Sequence, residues 1–331
     1  MDRNVHREMR LKNKWMGGAL AALLLLVGCR PVETTEITFG GDIILARDGQ
    51  ALFMDNPWGA FAAAEAPVSD ANSLFFANLE SPLGLNNPSD EAGPYNLCAD
   101  AGLAEQLRAG GLSLVNTVNN HAEDCALANA STEELAVEGI RSVDVASNPL
   151  YMDTPAGKIG VLAANALAAD WDPAILIEQA TQARKWCDIL VVSLHWGGEY
   201  VGEVSQEQRD VAQGLADAGV DVLWGHHAHL LQPMEWLTAA DGQHHMLAMY
   251  GLGNLLTDQW MGWETQHGAL VTVRFVGTEM SALTVRPVWM DPSSRSLQVP
   301  DEDSSNRVVE RLDLGSLPLE ATVLRQAHLG W

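Results

Sequence analysis

The chain has 331 residues, 47% hydrophobic and 19% charged, enough to bury a sizeable core and too apolar for a disordered polyelectrolyte. Nineteen Lys and Arg stand against 43 Asp and Glu, a formal net charge of −24, which leaves no basic surface for a phosphate backbone and argues against nucleic acid as a partner. The one apolar run long enough to concern a membrane lies at the N-terminus, so a chain with many membrane spans is excluded.

Arg3, Arg7, Arg10, Lys12 and Lys14 precede the 13-residue apolar run 15–27, which is shorter than the ~20 residues a spanning helix needs. This reads as a secretory signal. Its end, Leu26-Val27-Gly28-Cys29, resembles a bacterial lipobox, in which the cysteine is lipidated and becomes the first residue. The expectation is a signal peptide over 1–28, a lipidated Cys29, a short tether over 29–35, and an exported protein held at the cell envelope by its lipid. In a two-membrane cell that means the outer membrane or the periplasmic face. Residues 1–28 hold five basic and two acidic residues, so the remainder carries 14 Lys and Arg against 41 Asp and Glu, a net −27. Such a surface repels anionic headgroups and polyanions, so an anionic ligand needs a local positive site such as a metal.

Cys98, Cys125 and Cys187 follow. In an oxidising compartment Cys98 and Cys125 can pair, whereas Cys187 opens an apolar run and reads as a buried thiol. The absence of a C-x-x-C spacing argues against a thiolate zinc site.

Apolar runs of strand length occur at 37–39 with 43–45, and at 112–118, 159–162, 189–194, 220–224 and 246–250. Several are near-continuous, as strands buried on both faces should be. Ser131-Thr132-Glu133-Glu134 and Ser205-Gln206-Glu207-Gln208 have the pattern of capping boxes, the second leading into Val211, Leu215 and Ala218 before Gly219 ends the helix. Strand and helix alternate, which implies α/β layers, and 269–276 and 283–289 around Gly277-Thr278-Glu279 predict an antiparallel hairpin. No linker or repeat divides 36–300, so one domain is expected there, with 301–331 as a polar, weakly helical tail.

Polar residues suited to metal binding recur where apolar runs end. They are Gly40-Gly41-Asp42, Asn78-Leu79-Glu80, Asn119-Asn120-His121, His195 through Trp196, Gly197 and Gly198 to Glu199 and Tyr200, and Gly225-His226-His227-Ala228-His229. In an extended segment His227 and His229 project to one side, so two imidazoles can meet one metal or a pair. Carboxylates combined with imidazoles suit Mn, Fe or Zn better than Ca, as one or two ions. His244 and His245 precede a strand and are left out. Trp196, Trp224, Trp236, Trp260 and Trp263 lie in or near these segments, either as core or as a platform for a polymer or sugar.

Together with Tyr250-Gly251-Leu252-Gly253-Asn254, this ordered series resembles the CapA-type poly-γ-glutamate capsule synthesis family over roughly residues 36–289. That family is similar in fold to the calcineurin-like metallophosphoesterases. The resemblance implies an α/β fold, a sandwich of two mixed β-sheets flanked by helices in α-β-β-α layers. It implies metal ligands at Asp42, Glu80, Asn120, His195, His227 and His229, and makes His121 the match of the histidine that protonates a leaving group. Asn78, Asn119, Glu199, His226 and Asn254 would support these ligands or meet substrate. Two positions depart from the phosphoesterase pattern: Ile44 stands where Asp-x-His would place a histidine, and Glu80 replaces a bridging aspartate.

Three functions are compatible with this reading. The first is a lipid-anchored protein in synthesis or export of an anionic surface polymer, working with the polymer machinery. The second is an extracytoplasmic metal-dependent phosphoesterase, and the third a lipoprotein that binds metal without chemistry.

Overall fold

The computed structural model describes residues 33–47, 72–85, 95–294, 296–319 and 321–325. The signal segment and Cys29 lie outside them, and the expected tether is cut short because the first strand begins at Thr34.

In chain order the strands are β1 (Thr34–Ile43), β2 (Ser73–Leu79), β3 (Leu83–Leu85), β4 (Ala99–Asp100), β5 (Leu114–Asn116), β6 (Arg141–Val143), β7 (Leu150–Thr154), β8 (Gly157–Asn165) and β9 (Ile189–His195). They continue with β10 (Val222–His226), β11 (Met234–Thr238), β12 (His245–Met249), β13 (Asn254–Leu256), β14 (His267–Val276), β15 (Glu279–Asp291), β16 (Ser296–Gln298) and β17 (Ala321–Val323). The α-helices are α1 (Leu103–Ala109), α2 (Ala128–Val137), α3 (Pro173–Ala183), α4 (Gln206–Asp217), α5 (Trp263–Gln266) and α6 (Glu302–Arg311).

Among the described residues one sheet has the order β16-β15-β14-β1-β2-β5-β6, with β13 also on β1 and β17 on β15; the other has the order β11-β12-β10-β9-β8-β7. Both are mixed. β1, β2, β5 and β6 run parallel, as do β8, β9, β10 and β12, while β14–β15 is the expected hairpin.

Alternation along the strands explains the layers. Ile37, Phe39 and Phe76 of the first sheet meet Val161, Val191, Val222 and Trp224 of the second in one core between the sheets. The opposite faces carry Phe75, Ala77 and Val115 against Leu103, Leu107 and Leu135, and Leu190, Val192 and Leu194 against Leu176, Ala180 and Leu215. Helices therefore cover both outer faces, giving the α-β-β-α sandwich and explaining the near-continuous apolar runs.

Two local expectations are corrected. Ser131 does not cap a helix: α2 already begins at Ala128, and the Ser131 N–H donates to the Leu127 carbonyl. Ser205, by contrast, forms the full capping box with Gln208. The polar segment after Pro300 is not a tail. Asp301 caps α6, Val308 and Leu312 enter the core between the sheets, and β17 pairs in parallel with β15. Its few apolar residues lie at helical spacing, so a sparse stripe suffices to dock it.

The β1–β2 register slips between Phe39 and Asp42, an irregularity made by Gly40-Gly41 that re-aims Asp42 at the sheet end. A β-carbon on Gly41 would collide with the Gly253 carbonyl of the chain entering β13. Gly41→Ala should therefore lower the urea midpoint, with a destabilisation of ~1–3 kcal/mol and an unchanged m-value.

Candidate metal centre

The parallel strands of both sheets deliver their C-terminal ends to one place, where open α/β sheets usually bind ligands. Asp42 comes from the end of β1, Asn78 and Glu80 from the end of β2, His195 from the end of β9, and His226 from the end of β10. The two carboxylates are almost fully buried, Asp42 at 2% and Glu80 at 1% exposure.

Asn78 organises them. Its amide nitrogen donates to Asp42 Oδ1 at 2.8 Å and to Glu80 Oε1 at 3.0 Å. Its oxygen accepts from Asn116 at 2.8 Å and Asn119 at 3.4 Å, so the amide is satisfied on both sides. Asn119 also donates to the Leu79 carbonyl at 2.9 Å.

His229 completes the innermost group. Its Nδ1 lies 3.1 Å from Asp42 Oδ2 and 3.0 Å from Asn254 Oδ1, and its Nε2 lies 3.8 Å from Glu80 Oε2. Asp42, Glu80 and His229 each present a ligand atom within 4.8 Å of the others, a buried group that could hold a metal ion. On the far side of Glu80, His195 Nδ1 is 3.9 Å from Oε1, and His195 Nε2 meets Asn120 Oδ1 at 2.7 Å. His226 Nδ1 stands 3.6 Å from Asp42 Oδ1, while its Nε2 meets Ser193 Oγ at 2.9 Å. Among the described residues the Nδ1 atoms of His195 and His226 are buried without a hydrogen-bond partner. Buried nitrogens left open beside two carboxylates are the chemistry expected of a cation site.

His227 and His229 do not arise from an extended segment. β10 ends at His226, and the two residues have φ of 88° and 55°, left-handed values that cost non-glycine residues energy. The turn brings the His227 N–H to Asp42 Oδ2 at 3.3 Å and directs the His227 ring toward His195, 4.7 Å between centroids. His227 is thus on the His195 side and His229 on the Asp42 side, with ring centroids 6.1 Å apart. Glu199 and Asn120 are exposed at the rim.

Sequence reasoning misses Asp124. Its Oδ2 meets His121 Nδ1 at 2.9 Å and accepts from the Leu97 N–H at 2.7 Å. The next residue, Cys125, is disulfide-bonded to Cys98, with Cα atoms 6.3 Å apart. Cys125 and Ala126 both have left-handed backbones, so the bridge and the Asp124 contacts hold a strained turn beside Asn120 and His121. The i, i+3 spacing from His121 is the signal that could have found it. Cys187 is free, and burial pushes its thiol up to about 11. Ile44 packs with Ala46 and Leu97 in a small apolar cluster. Most of the tryptophans serve packing: Trp196 stacks on Tyr250, Trp224 is in the core between the sheets, Trp236 and Trp260 pack against cores, and Trp263 lies between Arg307 and His267 at the wall of a small cavity.

Burial opposes the charge on Asp42, but His226 and His229 outweigh it and hold the carboxyl well below the usual range. Burial pushes Glu80 up to about 8, against the pull of His229. Burial also drives His195, His226 and His227 below the ordinary imidazole value. His229 resists burial because Glu80 and Asp42 raise it to about 9. Without a cation the group near pH 7 thus balances one carboxylate with one imidazolium and keeps the second carboxyl protonated.

The sequence profile described as "Bacterial capsule synthesis protein PGA_cap" matches residues 36–259, and the chain belongs to this family, which has the metallophosphoesterase-like fold. It is 24% identical over 281 residues to the PGA biosynthesis protein CapA of Bacillus subtilis (strain 168), covering 77% of this chain and 72% of that protein. It is 24% identical over 317 residues to the Capsule biosynthesis protein CapA of Bacillus anthracis, covering 86% and 74%. A crystal structure of a hypothetical protein from Thermus thermophilus shares the fold at 15% identity, with a TM-score of 0.50 over 76% of this chain and 98% of that one.

The raised values of Glu80 and His229 set a pH signature. Both groups bind protons more tightly folded than unfolded, so as pH rises Glu80 loses its contribution to stability between 4.5 and about 8, and His229 between 6.5 and about 9. The metal-free protein should lose up to roughly 3–4 kcal/mol from pH 7 to 9 by urea unfolding, and metal should displace roughly one to two protons per ion at pH 7, read by calorimetry in buffers of different ionisation enthalpy. Replacing Cys98 and Cys125 together by Ala should cost ~2–4 kcal/mol of unfolding free energy, measured the same way.

Proposed function

We propose that this protein serves in the synthesis or export of an anionic surface polymer of the poly-γ-glutamate type, using one or two divalent transition metal ions, Mn, Fe or Zn, to hold the polymer's acid groups. The observation that carries this reading is the buried Asp42–Glu80–His229 group with unpartnered histidine nitrogens beside it, in a chain whose family and curated relatives are named for capsule and PGA biosynthesis. Asp42, Glu80 and His229 would hold one ion. Asn120, His195 and His227 would serve a second, with Glu80 between them.

A bound ion supplies positive charge and Lewis acidity where the rest of the protein is negative. The chain's own residues do the remaining work. Asn78 fixes both carboxylates, Asn254 orients His229 through Nδ1, and Asp124 holds His121 by Nδ1, which leaves His121 Nε2 to hold or pass a proton toward a ligand. The lipidated Cys29 would keep the site at the cell envelope, near the polymer machinery.

The phosphoesterase reading is supported by the fold and by the His121–Asp124 pair, but the apolar filling around Ile44 removes one ligand position and favours holding over hydrolysis. Deleting the gene in the native cell should abolish extracellular polymer. A copy with His227→Ala and His229→Ala should fail to restore it and should lose at least one ion's share of metal by elemental analysis. Vigorous metal-dependent hydrolysis of a simple phosphate ester, abolished by His121→Ala, would overturn this reading in favour of an enzyme. Intact polymer without hydrolysis would leave a metal-binding lipoprotein.

A further inference from the structure

A separate small cavity lies close to the metal cluster along the chain. Beyond His229 the chain runs through Leu230 and Leu231, which with Tyr200, Trp263, Glu264 and Arg311 help wall a cavity of about 200 Å³. Tyr200 is near both. Its ring centroid is 6.0 Å from that of His229, and its N–H donates to the Ala228 carbonyl at 2.9 Å. Its backbone is left-handed, with φ of 61°, and the residue is 44% exposed while lining the cavity.

Three guanidinium groups stand on this side, and they differ in what they have left to give. Arg47 is closed off by Asp258, with two hydrogen bonds of 3.0 and 2.7 Å. Arg307 lies over the Trp263 ring at 3.9 Å and donates to Glu264 Oε1 at 2.5 Å. Arg311 reaches that same Glu264 oxygen only at 4.0 Å and makes no hydrogen bond among the described residues. It sits in the last turn of α6, beyond the residues matched to the family.

We propose that Arg311 is an anion subsite in this cavity, taking one carboxylate of an acidic polymer in its planar fork while a neighbouring acid group of the same chain lies at the metal cluster. The inference rests on the polymer reading above and assigns it a second point of contact. A guanidinium with unspent donors matches a carboxylate bidentately. Glu203 and Glu264 line the same cavity and outnumber Arg311, so a small anion gains little from it. A ligand that also reaches the metal gains from both contacts, because the second is intramolecular. The subsite therefore selects for an acid chain over a single acid.

The test is calorimetric titration of the full, metal-loaded chain with three probes: a tetramer of glutamate joined through its γ-carboxyl, free glutamate, and inorganic tripolyphosphate. Arg311→Gln should weaken the tetramer roughly tenfold and leave metal content and the response to free glutamate unchanged, and Arg311→Lys should recover part of the loss. Tetramer binding that is equal in wild type and Arg311→Gln would overturn the subsite while leaving the polymer reading intact. Arg311-dependent binding of tripolyphosphate without the tetramer would overturn the carboxylate assignment and the polymer reading together, and so would binding of neither.

Discussion

Asp42 and Glu80 are buried side by side with almost no access to water, and most of the site's architecture answers the cost of that. Two adjacent carboxylates in a dry cleft cannot both ionise without compensation. The chain offers three kinds: the Asn78 amide shared between them, a ring of imidazoles, and protonation of Glu80 itself. A divalent cation would replace the last of these. Asn116 and Asn119, which bind Asn78 from behind, then have a physical role, because a rotated Asn78 would leave both acids without their common donor.

The site belongs to neither sheet alone. Asp42, Asn78 and Glu80 stand on the first, and His195 and the 226–229 turn on the second, so the packing between the sheets sets every distance across the cluster. Directly beneath it, Trp224 Nε1 donates to the Gly40 carbonyl at 2.9 Å, a buried hydrogen bond from one sheet to the other at the irregularity that aims Asp42. Phe39 and Phe76 pack around the same indole, at ring centroid distances of 5.5 and 6.3 Å. A core substitution there would be felt as a displaced ligand as well as a loss of stability.

Much of this architecture is legible in the amino-acid sequence. Near-continuous apolar runs identify the central strands, because strands covered on both faces have no polar side to disguise them. Ligand-type residues at the ends of those runs mark the site, since parallel strands bring their ends together. What escapes depends on contacts distant in sequence or on single backbone angles. The left-handed turn at His227 and His229 has no glycine to announce it, and it is maintained by the His227 N–H on Asp42 and the Tyr200 N–H on the Ala228 carbonyl. Asp124 reads as an ordinary acidic loop residue unless Leu97 and Cys98 are known to lie beside it. The segment after Pro300 reads as a tail because only a narrow apolar stripe meets the core.

That last element bears on how so acidic a protein would receive the acidic ligand proposed for it. With a formal charge of −24 the mean field opposes approach, and steering over long distances would favour cations. At physiological salt that field is cut off within ~8 Å, so what matters close in is the local set of charges. α6 carries Arg307 and Arg311 to the cavity, spends the first on Trp263 and Glu264, and leaves the second facing it next to Tyr200. The cluster at the strand ends would supply the other positive point if a cation replaced its protons. Under the proposed reading, two isolated positive points on a negative surface would grip an acid chain only where both are met in register, which would make recognition depend on the spacing of acid groups more than on their number.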